Sequence, residues 1–330
     1  MNVSGNTNVT KQDSTESPFQ FISRDISFIL LITFDIPSIL MHLIVFILIF
    51  FNKALRSAPN NYVILFTLCH SFIITAFMIP TVIDSHRLKP TIHWTLASCK
   101  IRSFIETLSS NMMNLLVAWA SFERHLLIFH FNLLTIKWKK LCFHYMPPIL
   151  ITIYLSIFYI YSSFFFPCEH QVDFVNNICY YGCQSRDPVL GMWQTSIHIL
   201  SPTICVLICN GALLFRVYRS KARLRRSIDW GKYRLMIFQL VSISCLYLLF
   251  NLPFAIVYLW VIVAPAPSII TLLQRVGFLT YFIWLLFPFV CLCSIPQLES
   301  KMKKILHCQI VPVSREMQPR AIRLVKIQAQ

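Results

Sequence analysis

Glycine is scarce in this chain, 6 residues of 330. That rules against helices held together by seams of small residues and favours packing through bulky side chains, with aromatics at 14%. Charge is scarce as well, at 13% against the quarter typical of a soluble domain. Acids are the rarer sign, 13 Asp and Glu against 29 Lys and Arg. No Gly/Ser-rich or acidic linker breaks the chain, so one domain is expected. There is no phosphate-binding glycine loop, no His-Glu-x-x-His and no Gly-x-Ser-x-Gly, so no enzyme, metal site or cofactor is expected. Intramembrane proteolysis would need paired groups deep in facing helices, and the two candidate acids, Asp35 and Glu106, both fall in the outer half of their segments. The inverted repeats common in transporters are not visible either.

What the chain has in abundance is apolar residue, 56% of the total, with a mean hydropathy of +0.64. The apolar runs are about 20 residues long and do not alternate, which is the pattern of membrane-spanning helices and not of a barrel. Seven such runs fall near 26–51, 61–83, 97–129, 144–166, 190–217, 232–263 and 270–295. The expected fold is an all-α membrane protein, a seven-transmembrane helix bundle over 26–295. A polar N-terminus, 1–25, precedes it without an apolar core of its own, so the first span is expected to serve as the insertion signal. After the bundle, 296–308 is expected to form a short amphipathic helix at the inner interface, with Leu298, Met302, Ile305 and Leu306 on one face and Lys301, Lys303 and Lys304 off it. A basic tail, 309–330, follows.

Orientation follows from the cations. With the N-terminus outside, 21 of the 29 Lys and Arg fall on the cytoplasmic side, as the positive-inside rule requires. The same rule accounts for the +16 formal charge without a nucleic-acid partner. Asn2-Val3-Ser4 and Asn8-Val9-Thr10 are glycosylation acceptors at the end predicted to lie outside. Cys308, just past the amphipathic stretch, is a candidate for palmitoylation. Cys69, Cys205, Cys209, Cys245, Cys291 and Cys293 lie inside apolar runs and read as packing residues. Pro37, Pro80, Pro202, Pro253 and Pro288 are internal to the spans and predict bends. Asp35 in the first span, with His42 two turns further in, is an intramembrane acid and so a candidate for function or for a hydrogen bond to a neighbouring helix.

The third run carries most of the chemistry. It opens at Cys99 and closes at Glu123-Arg124-His125, and the 25 residues between Cys99 and Arg124 extend about 37 Å as a helix. Glu106 stands 18 residues before Arg124, about five turns, so both charges share a face that should look into the bundle. Arg102 lies four residues before Glu106, at the spacing of an intrahelical ion pair. Glu106 is therefore either open to a cation or tied to Arg102. Tyr258, Tyr281 and Trp284 are aromatics that could line the same cavity. Cys99 with Cys168, Cys179 and Cys183 makes four cysteines on the outer, oxidising side, enough for two bridges among three pairings.

Seven runs with these landmarks resemble the rhodopsin-like G-protein-coupled receptors over residues 26–308, in particular divergent invertebrate orphan, chemoreceptor-like or FMRFamide-receptor-like sets. Glu123-Arg124-His125 is similar to the family's Asp/Glu-Arg-Tyr motif. Cys99 stands at the family's distance from that arginine, and Trp94 matches the first-outer-loop tryptophan. Pro202, Pro253 and Pro288 fit the prolines of spans five, six and seven. The resemblance implies an extracellular ligand, a heterotrimeric G protein docked on the inner loops 130–143 and 219–230 around Glu123, Arg124 and His125, and a plasma-membrane address. It implies a bridge from Cys99 to Cys183, with Cys168–Cys179 as a second, or alternatively from Cys99 to Cys179. It places Glu106 where amine receptors carry an aspartate, which points to a cationic amine or a small basic peptide. The chain departs from the family too. His70 or Ser71 falls where span two has its aspartate, so no sodium site is expected. Phe287-Pro288-Phe289-Val290-Cys291 keeps only the proline of Asn-Pro-x-x-Tyr, and Phe250-Asn251-Leu252-Pro253 has no switch tryptophan. A transporter or channel, or a receptor-like scaffold without G-protein coupling, are the competing readings.

Overall fold

The computed structural model describes residues 24–51, 61–85, 91–129, 137–167, 172–173, 178–179, 187–223 and 230–293. These form seven long helical segments. α1 is Arg24–Phe51. α2 runs through Asn61–Ile73, a π-helical stretch Ile74–Met78, and Ile79–Ser85. α3 is Leu96–Phe129. α4 comprises Lys137–Lys140, π-helical Leu141–Tyr145, Met146–Ile160 and π-helical Tyr161–Phe165. α5 comprises Pro188–Trp193, π-helical Gln194–Leu200 and Ser201–Arg223. α6 comprises Trp230–Leu246, π-helical Tyr247–Asn251 and Leu252–Val263. α7 is Pro267–Cys293. A two-residue antiparallel pair, β1 (Val172–Asp173) with β2 (Ile178–Cys179), lies between α4 and α5.

Six of these segments, all but α3, are long and apolar enough to cross a membrane. The outside of the bundle is apolar, and many polar side chains are turned into its interior among the apolar core. Ser71, Thr75, His198, Thr203 and Asn210 are fully buried, while Ile36, Ile157, Phe165 and Leu249 are all more than half exposed. A water-soluble bundle would reverse that arrangement; a multi-pass membrane protein requires it.

α3 is less apolar than the other six because of the residues it turns inward. Ser103, Glu106, Ser109, Asn111, Asn114, Ser121, Glu123 and Arg124 are all buried. The helix packs on α2, α4 and α5, so its polar groups are enclosed by other helices. Its start is set by a reciprocal capping box: Ser98 N donates to Thr95 Oγ1 (3.1 Å) and Thr95 N to Ser98 Oγ (2.9 Å). The connection from α2 is held by Asp84, whose carboxylate accepts from Thr91 N, Thr91 Oγ1 and Ile92 N at 2.7–2.9 Å. α5 begins with Asp187 as N-cap, accepting from Val189 N and Leu190 N, with Pro188 in the first turn, where its missing N–H costs nothing.

Proline shapes the helices in a regular way. Among the described residues, each of five π-helical stretches ends two residues before a proline: Pro80, Pro147, Pro167, Pro202 and Pro253. The residue just before the proline reaches back five positions, as in Ile79 N to Ile74 O, Phe166 N to Tyr161 O, Ser201 N to Ser196 O and Leu252 N to Tyr247 O. The ring would otherwise press on the carbonyl four residues earlier, and one wider turn relieves that contact while keeping the neighbouring N–H bonded. Pro37 and Pro288 sit within continuous α-helix. Two hydrophobic clusters fill the interior, a large one joining α1, α2, α3, α5, α6 and α7 and a smaller one joining α2, α3 and α4.

Candidate functional site

α3 carries charge near both ends. At its outer end Arg102 and Glu106 form the intrahelical pair that their spacing allows, Nη2 to Oε2 at 3.3 Å. Arg102 Nε also donates to Thr81 Oγ1 of α2 at 2.8 Å, and its guanidinium lies over the Trp94 ring, 5.5 Å from the centroid. Glu106 Oε1 accepts from Tyr281 OH of α7 at 3.3 Å, and Tyr281 meets the Trp284 ring edge to face at 5.3 Å. The structure thus brings together Arg102, Glu106, Tyr281 and Trp284. Tyr258, on α6, stacks on Phe254 at 5.5 Å. Of the two possibilities for Glu106, the tie to Arg102 is the one seen. Arg102 is the more accessible partner, 15% against 8%.

At the inner end three successive residues reach three different helices. Successive side chains on an α-helix point about 100° apart, so Glu123, Arg124 and His125 radiate from α3. Glu123 pairs with His144 Nδ1 of α4, both side chains almost wholly buried. The imidazole is packed edge-on against Tyr62 of α2 at 4.6 Å. Arg124 Nη2 donates to Gln239 Oε1 of α6 at 2.7 Å, and these two line a small cavity with Thr67, Ser121 and Phe287. His125 Nε2 donates to the Cys209 carbonyl of α5 at 3.0 Å. Close by, Asn210 Nδ2 of α5 donates to Ser244 Oγ of α6 at 3.0 Å. Nearer the middle Asn251 Nδ2 of α6 donates to Thr203 Oγ1 of α5 at 2.6 Å.

A third polar centre joins α4 to α5. His198, fully buried, has Tyr154 OH at 2.8 Å from Nε2 and Tyr159 OH at 2.9 Å from Nδ1. Trp193 Nε1 donates to Tyr154 OH at 3.0 Å. A neutral imidazole donates from one nitrogen and accepts at the other, so this histidine is satisfied on both sides. His144, His198 and Gln239 carry no motif in the sequence that marks them. The signal available was the presence of a polar residue inside or at the edge of an apolar run, the same signal that marked Asp35.

Ser71 of α2 donates to the Trp284 carbonyl of α7 at 3.1 Å, and Met113 and Phe287 are buried in the large hydrophobic cluster. No cluster of three His, Cys, Asp or Glu comes together among the described residues. Cys99 is buried and disulfide-bonded; its two expected partners, Cys183 and the Cys179 side chain, lie outside the described residues, as does Cys168. Asn2, Asn8, Cys308, the stretch 296–308, the tail and, of the two inner loops, 130–136 and 224–229 also lie outside them. Cys69, Cys205, Cys209, Cys245, Cys291 and Cys293 are free thiols. Neither protein-family models nor curated proteins give a match to this chain.

Proposed function

We propose that the chain is a cell-surface receptor of the rhodopsin-like kind, which binds an extracellular ligand between its helices and stimulates nucleotide exchange on a heterotrimeric G protein. In this reading α3 is the seventh membrane span, its polar groups shielded by α2, α4 and α5. The N-terminus is outside with glycans on Asn2 and Asn8, the second outer loop is clamped to Cys99, and the C-terminus is inside with a palmitoyl group on Cys308. The observation that carries the reading is the divergence of Glu123, Arg124 and His125 onto α4, α6 and α5. A ligand that shifts α3 strains all three ties at once, and release of Arg124 from Gln239 opens the inner face where the G protein docks. The ligand enters beside Arg102 and Glu106. Because Glu106 is held by Arg102 and Tyr281, a cationic amine or basic peptide terminus has to exchange places with the Arg102 guanidinium.

The test is a second-messenger screen of the full chain against amines and peptides, followed by Arg124→Ala. The substitution is expected to abolish G-protein activation at unchanged surface level. Undiminished signalling would remove Arg124 from the role given to it. Ligand-driven flux of solute would favour a transporter, and silence of the wild type with every heterotrimer would favour a scaffold that has lost coupling.

A further inference from the structure

The inward face of α1 carries Asp35, Ser38 and His42, three and four residues apart, and all three are buried to 4% exposure or less. Asp35 Oδ1, Ser38 Oγ and His42 Nε2 have no hydrogen-bond partner among the described residues. The other imidazole nitrogen, Nδ1, is 2.9 Å from the Ser38 carbonyl. A carbonyl can only accept, so Nδ1 carries the proton and Nε2 of the neutral ring is an acceptor. The face lies against α2 and α7: His42 and Phe46 both pack on Phe72, and Phe34 meets Phe282 edge to face.

Polar atoms this deeply buried are satisfied in folded proteins, and water is the usual agent when no side chain is in reach. The spacing suits it. Along the helix axis Asp35 and Ser38 are about 4.5 Å apart, and Ser38 and His42 about 6 Å. Two hydrogen bonds through one water cover about 5.5 Å. We propose that this face of α1 is a built hydration site, in which one water bridges Asp35 to Ser38 and a second bridges Ser38 to His42 in the seam against α2 and α7. The donors and acceptors close. The first water donates to Asp35 Oδ1 and to Ser38 Oγ. The Ser38 hydroxyl donates to the second water, which donates to His42 Nε2. The result is a directed chain about 10 Å long, roughly a third of the ~30 Å apolar layer, at a place that carries neither the ligand pocket nor the inner docking face.

The test is hydroxyl-radical footprinting of the full chain by X-ray pulses in nanodiscs, where radicals formed from bound water label buried neighbours. Met113, buried to 0% within the large apolar cluster and intrinsically more reactive than histidine, is the control. His42 is expected to be labelled while Met113 stays silent, and the double variant Asp35→Leu with Ser38→Ala is expected to lose that label. The wild-type measurement stands without the variant: His42 as silent as Met113 would overturn the proposal. So would loss of the His42 label when sodium replaces choline at equal ionic strength, since that outcome gives the site to a metal cation.

Discussion

The two ends of α3 use charge differently. At the outer end the strongest partner is on the same helix, Arg102 to Glu106, with Thr81 and Tyr281 as lighter ties to α2 and α7. At the inner end each residue of the triad has a tie to another helix: Glu123 to α4, Arg124 to α6, His125 to α5. A pair within one helix moves with that helix and does not resist its displacement. Ties radiating to three helices do resist it. Under the receptor role proposed above, the outer end would let a ligand act on α3 and the inner end would register the movement. Burial separates them too: the Glu123–His144 side chains are 1–2% exposed and Arg102 is 15% exposed.

The largest effect is expected where charge is most deeply enclosed. His144→Leu removes the imidazole that the buried Glu123 pairs with, and breaking such a pair costs about 3–5 kcal/mol. Unfolding of the purified chain in detergent should show that loss. Glu123→Gln in the same background should restore much of it, because the buried charge is then gone. A His144→Leu variant within about 0.5 kcal/mol of wild type, the range of an ordinary surface substitution, would show that the inner end is not held this way, and the contrast with the outer end would fail.

The next effect is on signalling. Gln239→Leu removes the acceptor of Arg124 and keeps the apolar bulk of the side chain. A hydrogen bond to a charged group is worth about 1.5–3 kcal/mol, so if it holds α3 to α6 only in the resting state, basal nucleotide exchange should rise by about ten-fold or more. Gln239→Glu, which strengthens the tie, should lower it. Equal basal exchange in all three forms would leave the bond as packing between α3 and α6 and not a latch.

The reach of the sequence follows the same division between local and distant partners. The apolar runs located the helices because a span is defined by its own residues. The run expected at 97–129 is α3, Leu96–Phe129, and the run at 270–295 is α7, Pro267–Cys293. The Arg102–Glu106 pair was legible because four residues make one turn. The partners of the inner triad were not, since Gln239 and Cys209 are 115 and 84 residues away from Arg124 and His125, and no periodicity connects them. Proline was legible as a bend but not in its form. That the turn before Pro80, Pro202 and Pro253 widens to a five-residue step depends on the neighbouring N–H groups keeping their acceptors, which only the backbone shows.

The smallest effect is expected at the outer pair. Arg102 and Glu106 are 15% and 8% exposed, less enclosed than Glu123 and His144, so their charges are better screened by solvent. A double-mutant cycle of Arg102→Ala and Glu106→Gln should therefore give a smaller coupling in stability than the same cycle on Glu123 and His144, below the ~3–5 kcal/mol of a fully buried pair. Ligand affinity is the sharper probe. If a cationic ligand takes the place of the guanidinium, Glu106→Gln should weaken its binding by about ten-fold, which corresponds to roughly 1.4 kcal/mol, and leave a neutral analogue of the same shape unaffected. Arg102→Ala should move the cation the other way, toward tighter binding, because the carboxylate no longer has to be released first. Loss of affinity in both single variants, equal to that of the double variant and shared by the neutral analogue, would mean that the pair only shapes the mouth of the bundle. The outer end would then be a structural clamp, and the ligand would have to be sought by its contacts with Tyr281 and Trp284.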